Sequence, residues 1–173
     1  MNGPCSPTTK RRICRSAWIT FAGMLLATVL VTTGNDALAA QTTDAMLTAY
    51  VNGLNARMPP AGDPATVPVL FADDGVHYHP FGEPPGGPLR GHEALQGFFS
   101  GFKEAWADWT HIEQRRTISG RRAIWEGTAE GTHRQSGKYV RLPIVFVIDF
   151  NESGLVREKT VYVDLHLMAD QLR

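Results

Sequence analysis

Beyond Thr110 the chain changes its hydrophobic period, and that change decides which fold classes are open to it. Residues 110–119, 123–133, 139–150 and 155–167 are rich in alternating or β-branched apolar residues. Turn signals stand between them: Gly120, then Gln135-Ser136-Gly137, then Asn151-Glu152-Ser153-Gly154. Short connections of this kind join antiparallel neighbours, so the second half predicts four antiparallel strands. Pro143 interrupts the longest of them. Proline cannot donate to a ladder, so a bulge or a local edge is expected there.

Before that point the spacing is helical. Residues 44–58 place Met46, Leu47, Tyr50, Val51, Leu54 and Met58 on one face, with Asp44 as the expected N-cap. Pro59-Pro60-Ala61-Gly62 ends this helix, and Asp63-Pro64 opens a second, short one that closes near Phe71-Ala72. Asp73-Asp74-Gly75 reads as a turn, residues 76–79 as a strand, and residues 81–91 as an irregular loop rich in proline and glycine. Residues 92–106 return to helical spacing through Leu95, Phe98, Phe99, Phe102 and Trp106. The order is helix, helix, strand, helix, then four strands. Three helices can cover one face of such a sheet, which is an α+β arrangement.

The first forty residues stand apart. Lys10, Arg11, Arg12 and Arg15 precede an uncharged apolar run from Ser16 to Thr33, and Ala37-Leu38-Ala39 supplies a small-x-small cleavage pattern. Residues 1–40 are expected to be a cleavable signal peptide and residues 41–173 a single exported domain, periplasmic or secreted, with no membrane attachment after cleavage. Cys5 and Cys14, the two cysteines, both fall in the leader. A domain starting near residue 41 therefore has no disulfide, thiol nucleophile or thiolate zinc site. The leader carries four of the 17 Lys/Arg and one of the 17 Asp/Glu, which leaves the rest near −3. Arg115-Arg116 and Arg121-Arg122 flank a turn instead of forming a stripe, so nucleic-acid binding has no compositional support.

His77 and His79 are two apart on a strand and share a face. Such a pair could be half of a metal site, with His133, Glu130 or His111 as a third ligand. No spacing requires this, and no metal is expected. Trp125, Gly127, Ala129, Gly131 and His133 also share a strand face, where the small residues leave room for a ligand or for the close approach of a helix.

Several stretches, taken in order, resemble the nuclear transport factor 2-like superfamily, and within it the ketosteroid isomerase and SnoaL-like polyketide cyclase group. They are Tyr50-Val51-x-x-Leu54-Asn55, Leu70-Phe71-Ala72-Asp73-Asp74-Gly75, His79-Pro80-Phe81-Gly82, Gly91-His92-Glu93-Ala94-Leu95-x-x-Phe98-Phe99, and Asp164-Leu165-x-Leu167-x-x-x-Gln171-Leu172. The resemblance implies a cone: a curved, mixed or antiparallel sheet packed on three helices around an internal pocket. It implies no cofactor and no metal, and it makes a homodimer the expected assembly.

In ketosteroid isomerases a tyrosine and a protonated aspartate bind the ligand oxygen while another aspartate moves the proton. The resemblance puts Tyr50 on the tyrosine position and His79 on the base position. Val145 or Phe146 falls where the second acid would stand, and neither can donate a hydrogen bond. The SnoaL-like comparison makes Asp164 a further acid–base candidate. His77, Phe81, Phe98, Phe102, Trp125, His133, Phe146 and Tyr162 are the expected ligand contacts. The ligand implied is small, apolar and oxygenated, of steroid, polyketide or terpenoid type. The chemistry implied is cofactor-free isomerisation, cyclisation or dehydration, and a non-catalytic binding or dimerisation module on the same fold is the alternative.

Overall fold

The computed structural model describes residues 42–82 and 86–173; the expected leader over 1–40 lies outside them. Helix α1 covers residues 42–57. Leu47, Tyr50 and Leu54 on its inner face are almost fully buried, each leucine stabilising the fold by roughly 1.5–3 kcal/mol. Asp44, expected as the cap, lies inside the helix and accepts a hydrogen bond from Arg116 at 2.9 Å. The second segment is a 3-10 helix, Pro64–Leu70, whose N-cap Asp63 accepts from the Ala65 amide.

Six strands form one mixed sheet in the order β2-β1-β6-β5-β4-β3. They are β1 (Phe71–Tyr78), β2 (Pro88–Arg90), β3 (Trp106–Ser119), β4 (Arg122–His133), β5 (Tyr139–Phe150) and β6 (Val156–Val163). Every neighbouring pair is antiparallel except β1 with β6, which run parallel. Helix α2 (Gly91–Ala105) leads straight into β3, and α3 (Leu165–Leu172) follows β6.

Three details depart from the sequence-based expectation. Asp73-Asp74-Gly75 is not a turn before β1 but a register shift inside it, between Phe71 and Val76. The loop expected over 81–91 contains β2, whose Leu89 pairs with His77. The last expected strand stops at Val163, because the Asp164 carboxylate accepts from the amides of His166 and Leu167 and starts α3. At Pro143 the local edge is present: β5 pairs with β6 only from Ile144 onward.

The small residues of β4 make room for β3, not for a ligand or a helix. A Cβ at Gly127 would meet the Ile112 carbonyl oxygen at 2.3 Å, and one at Gly131 would meet that of Asp108 at 2.3 Å. Both glycines sit opposite places where β3 slips register, after Trp106 and after Glu113. Bulges of this kind increase local twist. That twist curls the sheet around α1 and α2.

Candidate functional site

The inner face of the curled sheet, α1, α2 and one residue of α3 line a cavity that is partly open to solvent. Its walls are aromatic and aliphatic. Phe98, Phe99 and Phe102 come from α2, Trp106 and Trp109 from β3, and Leu142, Ile144 and Phe146 from β5. Met168 of α3 adds to the lining. Phe81 lies in the lining and is about half exposed.

Four ionisable side chains line this otherwise apolar space: His77, His79, His111 and Lys159. Strand parity puts them there. Lys159 has the parity of Val161 and Val163 on β6, and all three line the cavity. The parallel register sets His77 opposite Lys159, and His79 follows on the same side.

Each imidazole has a defined hydrogen-bonding state. The Trp109 indole N–H donates to His111 Nε2 at 3.2 Å. An indole nitrogen can only donate, so Nε2 carries no proton and Nδ1–H faces the Asn55 Oδ1 acceptor 2.9 Å away. The orientation of that amide is itself set, since the His111 backbone donates to Oδ1 and accepts from Nδ2. At His79 the Phe81 amide donates to Nδ1 at 3.2 Å. The neutral His79 ring therefore carries its proton on Nε2. His77 is stacked on Phe99, with ring planes 16° apart, and its Nδ1 is buried without a partner.

Burial, reinforced by the positive charge on Lys159, pushes all three imidazoles below their ordinary pKa. His79 and His111 fall to about 3, and His77 lies well below 6.5. Burial alone lowers Lys159 to about 7. Its Nζ sits 3.7 Å from the centroid of the Phe146 ring and 5.3 Å from that of Tyr50, and no carboxylate of the described residues pairs with it. Near neutral pH the cavity thus holds three neutral imidazoles and one amine poised between its two forms. Among the described residues no group of three His, Cys, Asp or Glu is arranged to hold a metal.

Residues 47–159 match the family model of the SnoaL-like domain. The chain belongs to the SnoaL-like domain family. No curated protein is significantly similar to it in sequence. Solved structures with the same fold include a protein with a ketosteroid isomerase-like fold from Catenulispora acidiphila in complex with trimethylamine. It shares 15% identity at a TM-score of 0.61, over 73% of this chain and 90% of that one. A second, from Shewanella denitrificans, is assigned as a SnoaL-like polyketide cyclase. It has 18% identity and a TM-score of 0.60, over 76% and 96% of the two chains. A third is SalBIII, an epoxide hydrolase/cyclase-like enzyme in pyran ring formation in the polyether salinomycin. It has 16% identity and a TM-score of 0.60, over 73% and 93%. The SnoaL-like domain described here therefore has the α+β cone fold of nuclear transport factor 2-like proteins.

Within this SnoaL-like frame the residues singled out from sequence separate into two sets. His77, His79, Phe81, Phe98, Phe102 and Phe146 line the cavity together. The remainder stand elsewhere. Tyr50 lies behind the wall, edge-on to Phe71 and Phe150, its hydroxyl buried without a partner. Trp125 is packed beneath Phe146, their rings stacked 4.8 Å apart, and donates its indole N–H to Glu113. His133 sits beside Trp106 at the end of β4 and bonds Ser136. Tyr162 and Asp164 border a shallow groove outside the cavity, and Asp164 is committed to capping α3. Asp164 has opposite parity to Lys159, Val161 and Val163, which is why it cannot join them on the inner face. Lys159 is the ionisable cavity group that motif reading passes over. Its parity with Val161 and Val163 is the signal that reveals it.

Proposed function

We propose that this SnoaL-like domain takes a small, largely apolar, oxygenated molecule of steroid, polyketide or terpenoid type into its cavity and transforms it by cofactor-free proton transfer. The observation that carries this reading is the tautomer of His79. With Nδ1 held by the Phe81 amide, the neutral ring has Nε2–H left as a donor, so His79 serves as the hydrogen-bond donor to a ligand oxygen and not as the base. A proton released by the ligand goes to Lys159, the cavity group that titrates near neutrality. Polarising an oxygen while removing a proton serves isomerisation, cyclisation or dehydration alike. The polyketide cyclase assignment and the pyran-forming role of two structural neighbours support that range of chemistry.

The test is ¹H–¹⁵N histidine spectroscopy between pH 5 and 8, with and without a planar steroid enone. His79 is expected to keep its Nε2–H tautomer throughout, and its Nε2 resonance to move when the enone binds. A His79 that titrates like a free imidazole and ignores the ligand would overturn the reading. A carrier without turnover is the second reading, favoured by the internal engagement of His111 Nε2 and His79 Nδ1. Substrate consumption against an enone panel decides between the two. We further propose export after removal of residues 1–40, checked by N-terminal sequencing of exported protein. Pairing of two copies through the outer sheet face, where Ile112 and Tyr162 are exposed, is checked by sedimentation.

A further inference from the structure

Lysine is almost never fully buried unless it is paired. The described residues hold three lysines, and Lys103 and Lys138 both reach solvent. Lys159 is 3% exposed, lies over the Phe146 ring and has no carboxylate partner among the described residues. A buried ammonium without a counter-charge costs several kcal/mol, so the folded state is not served by it. Beside the base of the preceding reading, two ligand-directed roles remain. An anion clamp needs a permanent charge and would be met better by arginine. Lysine differs in being able to surrender its proton and present a nitrogen lone pair.

We propose that Lys159 is a nucleophile that forms an imine with the aldehyde or ketone group of a largely apolar ligand bound in this cavity. The proposal rests on the preceding reading in one respect, that the ligand enters the cavity with its oxygen toward the histidines, and it gives Lys159 the role of nucleophile in place of that of base. The Nζ lone pair attacks the carbonyl carbon, and the carbonyl π pair moves onto oxygen. Oxygen gains one proton and nitrogen loses one, giving a neutral carbinolamine. A second proton, from solvent, converts the hydroxyl into departing water as the nitrogen pair forms the C=N⁺ bond. The balance is amine plus carbonyl plus one proton, giving iminium plus one water, with no oxidant or other co-reactant.

The surroundings suit these steps. His79 Nε2–H stabilises negative charge on the carbonyl oxygen. His77 stands opposite Lys159 across the β1–β6 register, and its unpartnered Nδ1 relays the proton that nitrogen gives up. The aromatic walls limit the access of bulk water that would hydrolyse the product. Once formed, the iminium draws electrons from the adjacent carbon, and its C–H becomes acidic enough to support isomerisation or elimination without a cofactor.

The experiment treats the full chain with 4-isopropylbenzaldehyde and sodium cyanoborohydride near pH 7, and maps the reduced adduct by peptide mass spectrometry. Lys103 and Lys138 serve as controls inside the same molecule, so no variant has to fold. Occupancy at Lys159 is expected to exceed that at either control by about tenfold or more, because a far larger share of its amine is unprotonated there. Labelling at Lys159 should also rise through about pH 7. Labelling confined to Lys103 and Lys138, or equal at all three, overturns the proposal. Binding of 4-isopropylbenzyl alcohol, which has no carbonyl, is followed in parallel by tryptophan fluorescence. If the alcohol binds and Lys159 stays unlabelled, the imine fails and the binding reading survives. If neither occurs, both fail.

Discussion

Lys159 has chain neighbours, Glu158 and Thr160, that point to the other face of β6, and it is the alternation that sends its amine inward. Its effect on stability has a definite sign. In the unfolded chain the amine is protonated up to about pH 10.5, whereas in the folded protein it loses its proton near pH 7. Between those values the unfolded state binds the extra proton, so stability rises with pH across that window, and the penalty is complete below about pH 7. Replacing the amine with an apolar isostere removes the penalty. Lys159→Met is expected to raise the unfolding free energy at pH 6 by about 1–4 kcal/mol, measured by urea denaturation, with the gain shrinking toward pH 10. A destabilised variant at pH 6 would show that the amine is solvated in the folded state. The tautomers of His79 and His111 belong to this scale as well. Neither was legible in sequence, because each depends on one donor, the Phe81 amide or the Trp109 indole, placed by the fold.

Among the elements, β3 and β4 show how a sequence signal can be read correctly and assigned to the wrong cause. The small residues Gly127, Ala129 and Gly131 do mark a place that side chains must vacate. The occupant is the bulged β3 backbone and the rings of Trp125 and Trp109, which lie 2.4 Å and 2.7 Å from the Cβ positions of Gly127 and Gly131. Gly127→Ala should therefore lower stability by about 2–4 kcal/mol, with the backbone forced to shift, as read by thermal or urea unfolding. A loss under 0.5 kcal/mol would mean that the bulge is soft. Helix α3 was hidden for a different reason. Residues 155–167 read as one strand, and what ends it at Val163 is the side chain of Asp164 turning back onto two amides. A cap of that kind competes with strand continuation only when β5 ends its pairing with β6 at the same place, as it does at Ile144.

At the scale of the whole molecule the three cavity histidines govern the acid limit of stability. Their folded pKa values lie below the ordinary 6.5, at about 3 for His79 and His111. As pH falls from 6.5 toward 3 the unfolded chain takes up protons that the folded chain refuses, so stability falls with pH. Each histidine contributes up to about 1.4 kcal/mol per pH unit, and three together up to about 4. The urea midpoint is expected to drop steeply between pH 6 and 4, and a flat profile over that range would count against neutral imidazoles in a water-poor cavity. The sequence alone determined the class of fold, because the switch from helical to alternating spacing, with turn residues between the runs, admits few arrangements of helices on one sheet. It also determined the candidate cavity wall, since Phe98 and Phe102 share a helix face and His77 and His79 share a strand face. Tertiary structure decided which polar groups meet. The parallel pairing of β1 with β6 sets His77 against Lys159, and the bulges of β3 bring Trp109 and His111 inward. Those are contacts between segments distant in the chain, and a local pattern carries which face a side chain takes but not what it will face.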